Sequence, residues 1–250
     1  MKKLLLTVAV PVLLIVGIWQ TASIYVASPL ILPSPYAVLA SFQELSTSLL
    51  FWKHIAFTVG RTFASFGISL AVSLVLGCVS GILPAADAVL KLPMSIIKAT
   101  PVVSFILLAL FWFNSSQVPI FVSVLMTLPV LTASVALGIR KTDAKLLEMA
   151  HSYGMSNVQI IKHVYFPSII PSFASGSLAA FGLSWKVVVA AEVISLPRYA
   201  SGSALQTAKV HLETSDVFSI SICVIIISFL CELIIGMLVS KALKKGKMNV

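Results

Sequence analysis

The sequence predicts an all-α integral membrane protein with six transmembrane helices. Its 250 residues are 59% hydrophobic and only 10% charged, whereas a soluble domain averages about 25% charged residues. A chain of this composition cannot cover a folded surface with polar groups. Several apolar runs also exceed the roughly 18 residues that a helix needs to cross a bilayer. These two observations exclude a soluble globular protein.

Six long apolar runs are predicted to be the spans of a single transmembrane domain, residues 1–250. Prolines occur in or at the ends of these runs, as at Pro101 and Pro171. They are tolerated because neighbouring helices can satisfy the carbonyls that a proline leaves unpaired. The predicted spans are residues 4–26, 56–83, 93–113, 118–139, 168–190 and 217–240.

The basic residues are divided unevenly between the two sides of the predicted membrane. With the N-terminus inside, twelve of the seventeen lysines and arginines lie on the inner side, and Lys186 lies within the fifth span. Cytoplasmic loops carry an excess of basic residues, so both termini are predicted to be cytoplasmic. The inner residues are Lys2, Lys3, Lys91, Lys98, Arg140, Lys141, Lys145, Lys162, Lys241, Lys244, Lys245 and Lys247, and the outer ones are Lys53, Arg61, Arg198 and Lys209.

The first apolar run has a second interpretation. Lys2-Lys3, the apolar core and Val26-Ala27-Ser28 resemble a secretory signal peptide, although the run is long for one. Cleavage would leave five spans in the same orientation.

The segment between the first two spans, residues 29–55, is predicted to lie outside. Apolar residues recur at helical spacing at Leu39, Phe42, Leu45 and Leu49. This pattern favours a helix on the outer membrane surface, and an ordinary connecting loop is the alternative.

Residues 140–167 form a polar, basic segment that is predicted to be helical, between two long apolar runs. Thr142 can cap a helix that continues through Ala150, and Gly154 is predicted to end it with a positive φ. A second helix is expected to begin near Ser156, and Pro167 is expected to end it before the next span. The apolar residues of this segment can either pack under the spans or fill a groove on a partner protein that acts on it.

This segment resembles the EAA loop of ABC importer permeases. The motif reads Glu-Ala-Ala, three residues, Gly, nine residues, Ile, one residue, Leu-Pro. In this chain Met149 and Phe166 replace an alanine and the leucine, and the spacing is intact. The residues that correspond to the motif, and that the resemblance implies contact an ATPase, are Glu148, Ala150, Gly154, Val164 (in place of isoleucine) and Pro167. The resemblance implies a type I ABC importer (MetI-like) fold in which residues 140–167 are the coupling loop.

Four further segments resemble permeases of the nitrate/sulfonate/taurine type. They are Leu32-Pro33-Ser34-Pro35, His54-x-x-x-Thr58-x-x-Arg61, Lys98-Ala99-Thr100-Pro101, and Gly182-Leu183-Ser184-Trp185-Lys186 followed by Ala190-Ala191-Glu192. The resemblance implies ATP-driven import of a small solute across a bacterial cell membrane. The solute would be a nitrate-, sulfonate- or taurine-like anion or a pyrimidine vitamin precursor. The implied partners are two ABC ATPase subunits that hold ATP and Mg²⁺, a second permease copy or homologue, and an external solute-binding protein.

Trp185, Lys186 and Glu192 are the candidates for the translocation path, because charges within a membrane usually face a pathway or a partner. Lys186 can instead snorkel to the outer interface. Positions 186 and 192 differ by about 240° around an ideal helix, so they are not expected to pair unless the helix breaks. Arg61, near the outer end of its span, can anchor in lipid headgroups.

Several function classes lack their sequence signals. The chain has no G-x-x-x-x-G-K-[ST] phosphate loop, so ATP hydrolysis is expected in a partner and no cofactor in this chain. It has no cysteine–histidine cluster with metal spacing, and no nucleophile–base arrangement that predicts an enzyme. The basic residues flank apolar runs, which favours membrane topology over nucleic-acid binding. The alternative function is a stand-alone secondary transporter or channel, which would need ion-coupling acids or an inverted repeat; Glu232 is the acid deep in a span.

Overall fold

The computed structural model describes the backbone of residues 2–248 and the side chains of residues 10–237. Every regular element in this part of the chain is helical. The elements are α1 (Lys2–Val26), α2 (Pro35–Thr47), α3 (Leu49–Ile82), α4 (Pro84–Ala99), α5 (Val102–Ala109), α6 (Val118–Arg140), α7 (Ala144–Ser152), α8 (Asn157–Ile160), a π-helical turn (Ile161–Tyr165), α9 (Phe166–Ser195), α10 (Ser201–Val210) and α11 (Thr214–Met248). The terminal lysines that contribute to the predicted orientation lie outside the described side chains.

Four helices among the described residues are long and apolar enough to cross a bilayer: Leu49–Ile82, Val118–Arg140, Asn157–Ser195 and Thr214–Met237. The fifth candidate is the pair α4 and α5, which meets the same test only as one broken span. The described apolar part of α1, Val10–Val26, is shorter. The protein is therefore an all-helical, multi-pass membrane protein, and α1 and the broken pair correspond to the first and third of the six predicted spans.

The prediction of one continuous span at residues 93–113 is wrong. Helix α4 begins nine residues earlier, at Pro84, and ends at Ala99. Helix α5 then leaves at 97° and ends at Ala109. The break lies at Thr100-Pro101, because a proline disfavours the helical conformation of the residue before it and supplies no N–H to continue the hydrogen-bond ladder.

Helix α6 lies at the centre of the bundle, between α3 and α9. Leu131 of α6, Phe66 of α3 and Phe181 of α9 are buried in one cluster. A second cluster packs α5 against α6 and α9 around Ile106 and Val122. In a membrane, such contacts stabilise the bundle through close packing, because lipid is as apolar as the side chains.

Small polar side chains join the same three helices in the interior. The Ser184 hydroxyl of α9 lies 3.1 Å from the Ser65 hydroxyl of α3 and 2.8 Å from the Ser123 hydroxyl of α6. The hydroxyls of Ser69 and Thr127 are 2.6 Å apart. Such interhelical hydrogen bonds satisfy groups that could find no water in lipid, and they fix the register of α3, α6 and α9.

The expected helix before the second span is present as α2, so the alternative of an ordinary loop is wrong. Ser34 caps it by accepting a hydrogen bond from the Ala37 N–H at 3.2 Å. Ser41 donates to Asp216 at 2.8 Å, and Ser219 donates to the Val38 carbonyl at 2.7 Å. Helix α2 is thus bonded to the start of α11, and its place on a membrane surface stays a prediction.

The two ends of the bundle carry different features and are named here after one residue each. The Arg140 end holds the segment 140–167, and the Glu192 end holds α2, α10 and the start of α11. Helix α9 runs from the first end to the second, so it connects the two groups of predicted site residues.

Candidate functional site

The coupling loop, residues 140–167, begins with α7. Its N-cap is Asp143, whose carboxylate accepts a hydrogen bond from the Lys145 N–H at 2.9 Å. The prediction of Thr142 as the cap is wrong, because the Thr142 N–H donates to the Ile139 carbonyl at 3.0 Å and so belongs to the end of α6. The connection between the two helices is therefore only a tight turn.

Gly154 ends α7 as predicted, with φ at +69°. The Gly154 N–H donates to the His151 carbonyl at 2.9 Å, and the Met155 N–H donates to the Ala150 carbonyl at 3.1 Å. This pair of bonds is the Schellman motif, which satisfies the last carbonyls of a helix when the residue after its C-cap is left-handed. A β-carbon at position 154 would meet no atom within 4 Å, so the requirement for glycine is conformational.

The second helix is α8, and its N-cap is Ser156, one of the two residues predicted to cap it. Ser156 and Gln159 form a reciprocal capping box, with the Gln159 side chain accepting from the Ser156 N–H at 2.8 Å. The helix does not stop near Val164, and the prediction that Pro167 ends it is wrong. The Phe166 N–H donates to the Ile161 carbonyl, five residues earlier. This wider π turn accommodates the missing N–H of the following proline, and the helix continues into α9.

The coupling loop exposes apolar side chains. Tyr153 is 81% exposed and Val158 is 74% exposed, and Met149 is exposed beside the exposed Glu148. Ala150 and Ile160 point inward and are buried. Exposed apolar groups on a structured segment mark a surface that contacts either a protein or a membrane. The two sides of the loop therefore differ, with one packed and the other available.

A network around Glu192 lies in the interior at the other end of the bundle. The Arg61 guanidinium donates to Glu192 Oε1 at 2.8 Å and to the Tyr199 carbonyl at 2.7 Å. Thr58 donates to Glu192 Oε2 at 2.8 Å, and the Gly202 N–H donates to the same oxygen at 3.2 Å. Glu192 has no exposed surface, and Arg61 is 7% exposed. These three donors offset part of the cost of burying the carboxylate.

The Glu192 network positions the segment between α9 and α10. His54 Nδ1 lies 2.9 Å from both the nitrogen and the carbonyl oxygen of Ala200, and the Ser201 N–H donates to Thr58 Oγ1 at 2.8 Å. Gly202 allows the close approach, because a β-carbon there would lie 2.5 Å from Glu192 Cβ and 2.6 Å from the Val189 carbonyl oxygen. Side chains of α3 thereby hold the backbone at residues 199–202.

The three predicted path residues do not lie together. Glu192 is in the network, Trp185 packs in the core at 6.3 Å between ring centroids from Phe181, and Lys186 is exposed on α9. Lys186 and Glu192 do not pair with each other, as their separation around the helix predicts. The interpretation of Arg61 as a headgroup anchor is wrong, because its guanidinium is buried against Glu192. The role of Trp185, Lys186 and Glu192 in a path stays a prediction.

The network partners of Glu192 were not predicted as a group. His54, Thr58 and Arg61 are spaced four and three residues apart, which places them on one helical face. That spacing was the available signal, but it could not identify residues 192 and 202 as partners from a distant part of the chain.

The chain matches a known protein family over most of its length. The model of the family described as "Binding-protein-dependent transport system inner membrane component" matches residues 69–244. The chain belongs to this family. It is a permease, the transport subunit of an ABC importer that spans the membrane.

Curated relatives include permeases named for sulfonate solutes. The permease is 35% identical to the putative aliphatic sulfonates transport permease protein SsuC of Escherichia coli, over 78% of this chain and 75% of that protein. It is 24% identical to the taurine transport system permease protein TauC of Escherichia coli, over 93% and 86%. It is also 28% identical to the formylaminopyrimidine transport permease protein ThiX of Halalkalibacterium halodurans, over 69% of each.

A solved structure shares the fold of the permease. It is titled as the crystal structure of an amino acid ABC transporter with histidines, and it matches with a TM-score of 0.61 at 20% identity. The match covers 80% of this chain and 95% of that chain. The type I importer fold that the coupling loop implied is confirmed.

Proposed function

We propose that the permease converts ATP-driven closure of two ATPase subunits into alternating access of its helices, with the coupling loop as the contact. The observation that carries this proposal is the loop's form. It has a glycine-terminated helix, an exposed apolar surface at Met149, Tyr153 and Val158, and unbroken helical continuity into α9. An apolar helix face of this kind fits a groove on a partner protein.

Glu148, Ala150, Gly154, Val164 and Pro167 have distinct parts in this proposal. Glu148 offers the partner a charge, and its exposure leaves it available. Ala150 is 1% exposed, so a small side chain keeps α7 packed. Gly154 sets the angle between the two helices. Val164 and Pro167 lie in and after the π turn that joins the loop to α9.

The orientation follows from the same arrangement. ATPase subunits are cytoplasmic, so the Arg140 end and both termini are proposed to face the cytoplasm of a bacterial cell, in agreement with the basic residues. The Glu192 end then faces outward and receives the solute from an external binding protein. A reporter enzyme that works only in the cytoplasm should therefore be active when it is fused after Val250.

The proposed solute is a small organic anion that carries a sulfonate. The support is the names of the relatives that match the chain over most of its length. A formylaminopyrimidine is the other candidate, because one relative is named for it. Uptake of radiolabelled ethanesulfonate and of formylaminopyrimidine by cells that express the complete transporter separates the two solutes. A second permease, either a copy or a homologue, is proposed to complete the path.

The coupling proposal is tested with Glu148→Lys and Gly154→Pro. Both should reduce co-purification of the ATPase subunits and solute uptake at matched permease levels. Asp143→Asn is the control, because it removes one negative charge from the same loop but keeps an N-cap acceptor. Normal uptake by both test variants would refute the coupling role. Uptake that follows an ion gradient after ATP depletion would indicate the secondary transporter instead.

A further inference from the structure

A cleft of about 510 Å³ lies between α4 and α6 at the Arg140 end, and Arg140 is the one lining residue that it shares with the coupling loop. One wall is α4 from Asp87 to Lys98, and the other is α6 from Pro129 to Arg140. Each wall extends over twelve residues, about 16 Å from the first to the last at helical rise. Asp87 pairs with Arg140 at 2.6 Å at the mouth, while the helix that follows α4 packs on the other half of α6. The two walls therefore run antiparallel.

Lys98 lies deep along this cleft. It is about 16 Å from Asp87 along α4, and the hydrocarbon core is about 30 Å thick. With the Arg140 end at the inner side, Lys98 is placed near the middle of the membrane, and not at the inner side predicted from the sequence, farther from the Arg140 end than its own side chain can span. A lysine at such a depth is expensive unless it meets water, a counter-charge or a ligand.

The charged residues of α4 occupy one face. Asp87, Lys91, Ser95 and Lys98 fall within about 80° around the helix axis. Val89, Leu92 and Ile96 occupy the opposite face and are exposed, as expected for a surface against lipid. Helix α4 therefore turns its charged face to the cleft, while the wall from α6 is mostly apolar, with Pro129, Ala133, Ala136 and Leu137.

The cleft has an excess of positive charge. Asp87 is the single carboxylate among its described lining residues, and it is held by Arg140 and by the Ser80 hydroxyl at 2.7 Å. In the described part of the chain, no carboxylate oxygen lies within 4 Å of the Lys91 or Lys98 ammonium. Two cations are thus left along a cleft whose volume suits a small organic molecule.

We propose that this cleft is a hydrated site for the anionic group of a small organic solute, with Lys91 and Lys98 as its ligands. The proposal rests on the function and orientation proposed above, and it assigns the cleft to the cytoplasmic half of the solute's route. Two cations in a cleft with largely apolar walls focus an attractive field on an anion. Asp87 is paired with Arg140 at the mouth and also attracts Lys91, so Lys98 is the cation that lies farther from this carboxylate.

The test measures the electrostatic potential inside the cleft. Ser95→Cys places a thiol between the two lysines in full-length permease whose native Cys78, Cys223 and Cys231 are replaced by alanine. Inside-out vesicles are treated with anionic sulfonatoethyl methanethiosulfonate or with cationic trimethylammonioethyl methanethiosulfonate. Each rate is divided by that of a small thiol in solution. Met94→Cys, also in the cleft lining, is the second reporter should Ser95→Cys not fold.

The anionic reagent should react faster, and Lys91→Met and Lys98→Met should each lower the anion-to-cation ratio roughly tenfold. Ile96→Cys, on the exposed apolar face of the same helix, should react with neither reagent. Equal ratios with and without the lysines, or no reaction at either cleft reporter, would overturn the proposal.

A second arm identifies the source of the anion. Ethanesulfonate should slow the labelling of Ser95→Cys in bilayers of zwitterionic lipid alone. Slowing by added anionic lipid, with no effect of ethanesulfonate, would assign the cleft to a lipid headgroup and reject the solute site. Failure of the ATPase subunits to co-purify would contradict the coupling proposal and leave these labelling ratios readable.

Discussion

Arg61 of α3 and Glu192 of α9 form an ion pair in the interior, with 2.8 Å between Nη1 and Oε1. The same guanidinium nitrogen donates to the Tyr199 carbonyl at 2.7 Å. One arginine therefore joins two long helices and the segment that follows the second of them. Because both side chains are buried, each depends on the other for compensation of its charge.

Removal of one partner of this pair should destabilise the permease strongly. Glu192→Gln leaves the Arg61 guanidinium uncompensated, and Arg61→Met leaves the Glu192 carboxylate uncompensated. The loss is expected to be about 3–5 kcal/mol for either change. Thermal unfolding in detergent, followed by size-exclusion chromatography, measures it. The double variant Arg61→Met/Glu192→Leu should recover much of the loss, and a double variant as unstable as the sum would contradict a pairwise effect.

Gly202→Ala should disturb the same network from the other side. The added β-carbon would lie 2.6 Å from both the Val189 carbonyl oxygen and the Val193 nitrogen. Backbone atoms cannot rotate away, so α10 must shift and its N–H bond to Glu192 must lengthen. We expect a destabilisation of about 1–3 kcal/mol and faster proteolysis between α9 and α10. Lys209→Ala, at an exposed position of the same helix α10, is the matched control.

Substitutions of Gly154 should follow the backbone requirement and not the size of the side chain. Gly154→Asn should be mild, because asparagine tolerates the left-handed region. Gly154→Ala should cost about 1–2 kcal/mol of local stability, and Gly154→Pro should disrupt the turn, because proline holds φ near −65°. Limited proteolysis of the coupling loop should give the order Gly, Asn, Ala, Pro. Equal cleavage of all four would mean that the turn is not needed.

Lys186 separates a path role from snorkelling. If it lines the path, Lys186→Met should reduce uptake while assembly with the ATPase subunits is unchanged. If it snorkels, the same variant should be nearly silent, because methionine keeps most of the apolar stem. Uptake at matched protein levels is the measurement. Wild-type uptake by Lys186→Met would reject a path role for Lys186. Glu192→Gln does not serve this test, because loss of its charge leaves Arg61 uncompensated and is itself expected to destabilise the permease.

Trp185→Phe should change stability little. The indole N–H is buried and has no hydrogen-bond partner among the described residues, while the ring packs beside Phe181. Phenylalanine keeps an aromatic ring and removes the unpaired donor, which can be neutral or stabilising. Trp185→Ala should instead cost about 3–5 kcal/mol, because it leaves a cavity. A large loss with phenylalanine would show that the N–H makes a bond in another conformation of the permease.

Local chemistry made part of this structure predictable. The positive φ of Gly154 and the cap at Ser156 depend on a few neighbouring residues. The apolar composition of α6 and α9 is enough to predict that these helices are spans. The N-cap of α7 could not be predicted in the same way, because Thr142 and Asp143 are both good cap residues. Asp143 is the cap because α6 extends far enough to include Thr142 in its last hydrogen bond.

Other features depend on contacts that sequence spacing does not contain. Arg61 and Glu192 are separated by 131 positions, so their pairing requires the packing of α3 on α9. Pro167 would end a regular α-helix because it has no N–H to donate, but the five-residue π turn before it lets the helix continue. Pro101 was expected to be tolerated within a span, and here the chain uses it to turn through 97°.

The π turn has a mechanical consequence. Because it carries the helix past Pro167, residues Asn157–Ser195 form one helical rod of 39 residues, about 58 Å long. Helix α6 packs along most of this rod, from Ile169 against Gly138 to Val187 and Ala191 in the second cluster, so the rod can tilt only together with α6. A tilt of about 10° would move each tip by roughly 5 Å in opposite directions, by simple geometry on that length. A push on the coupling loop would then reach Glu192 as displacement, with no chain of side-chain rearrangements between them.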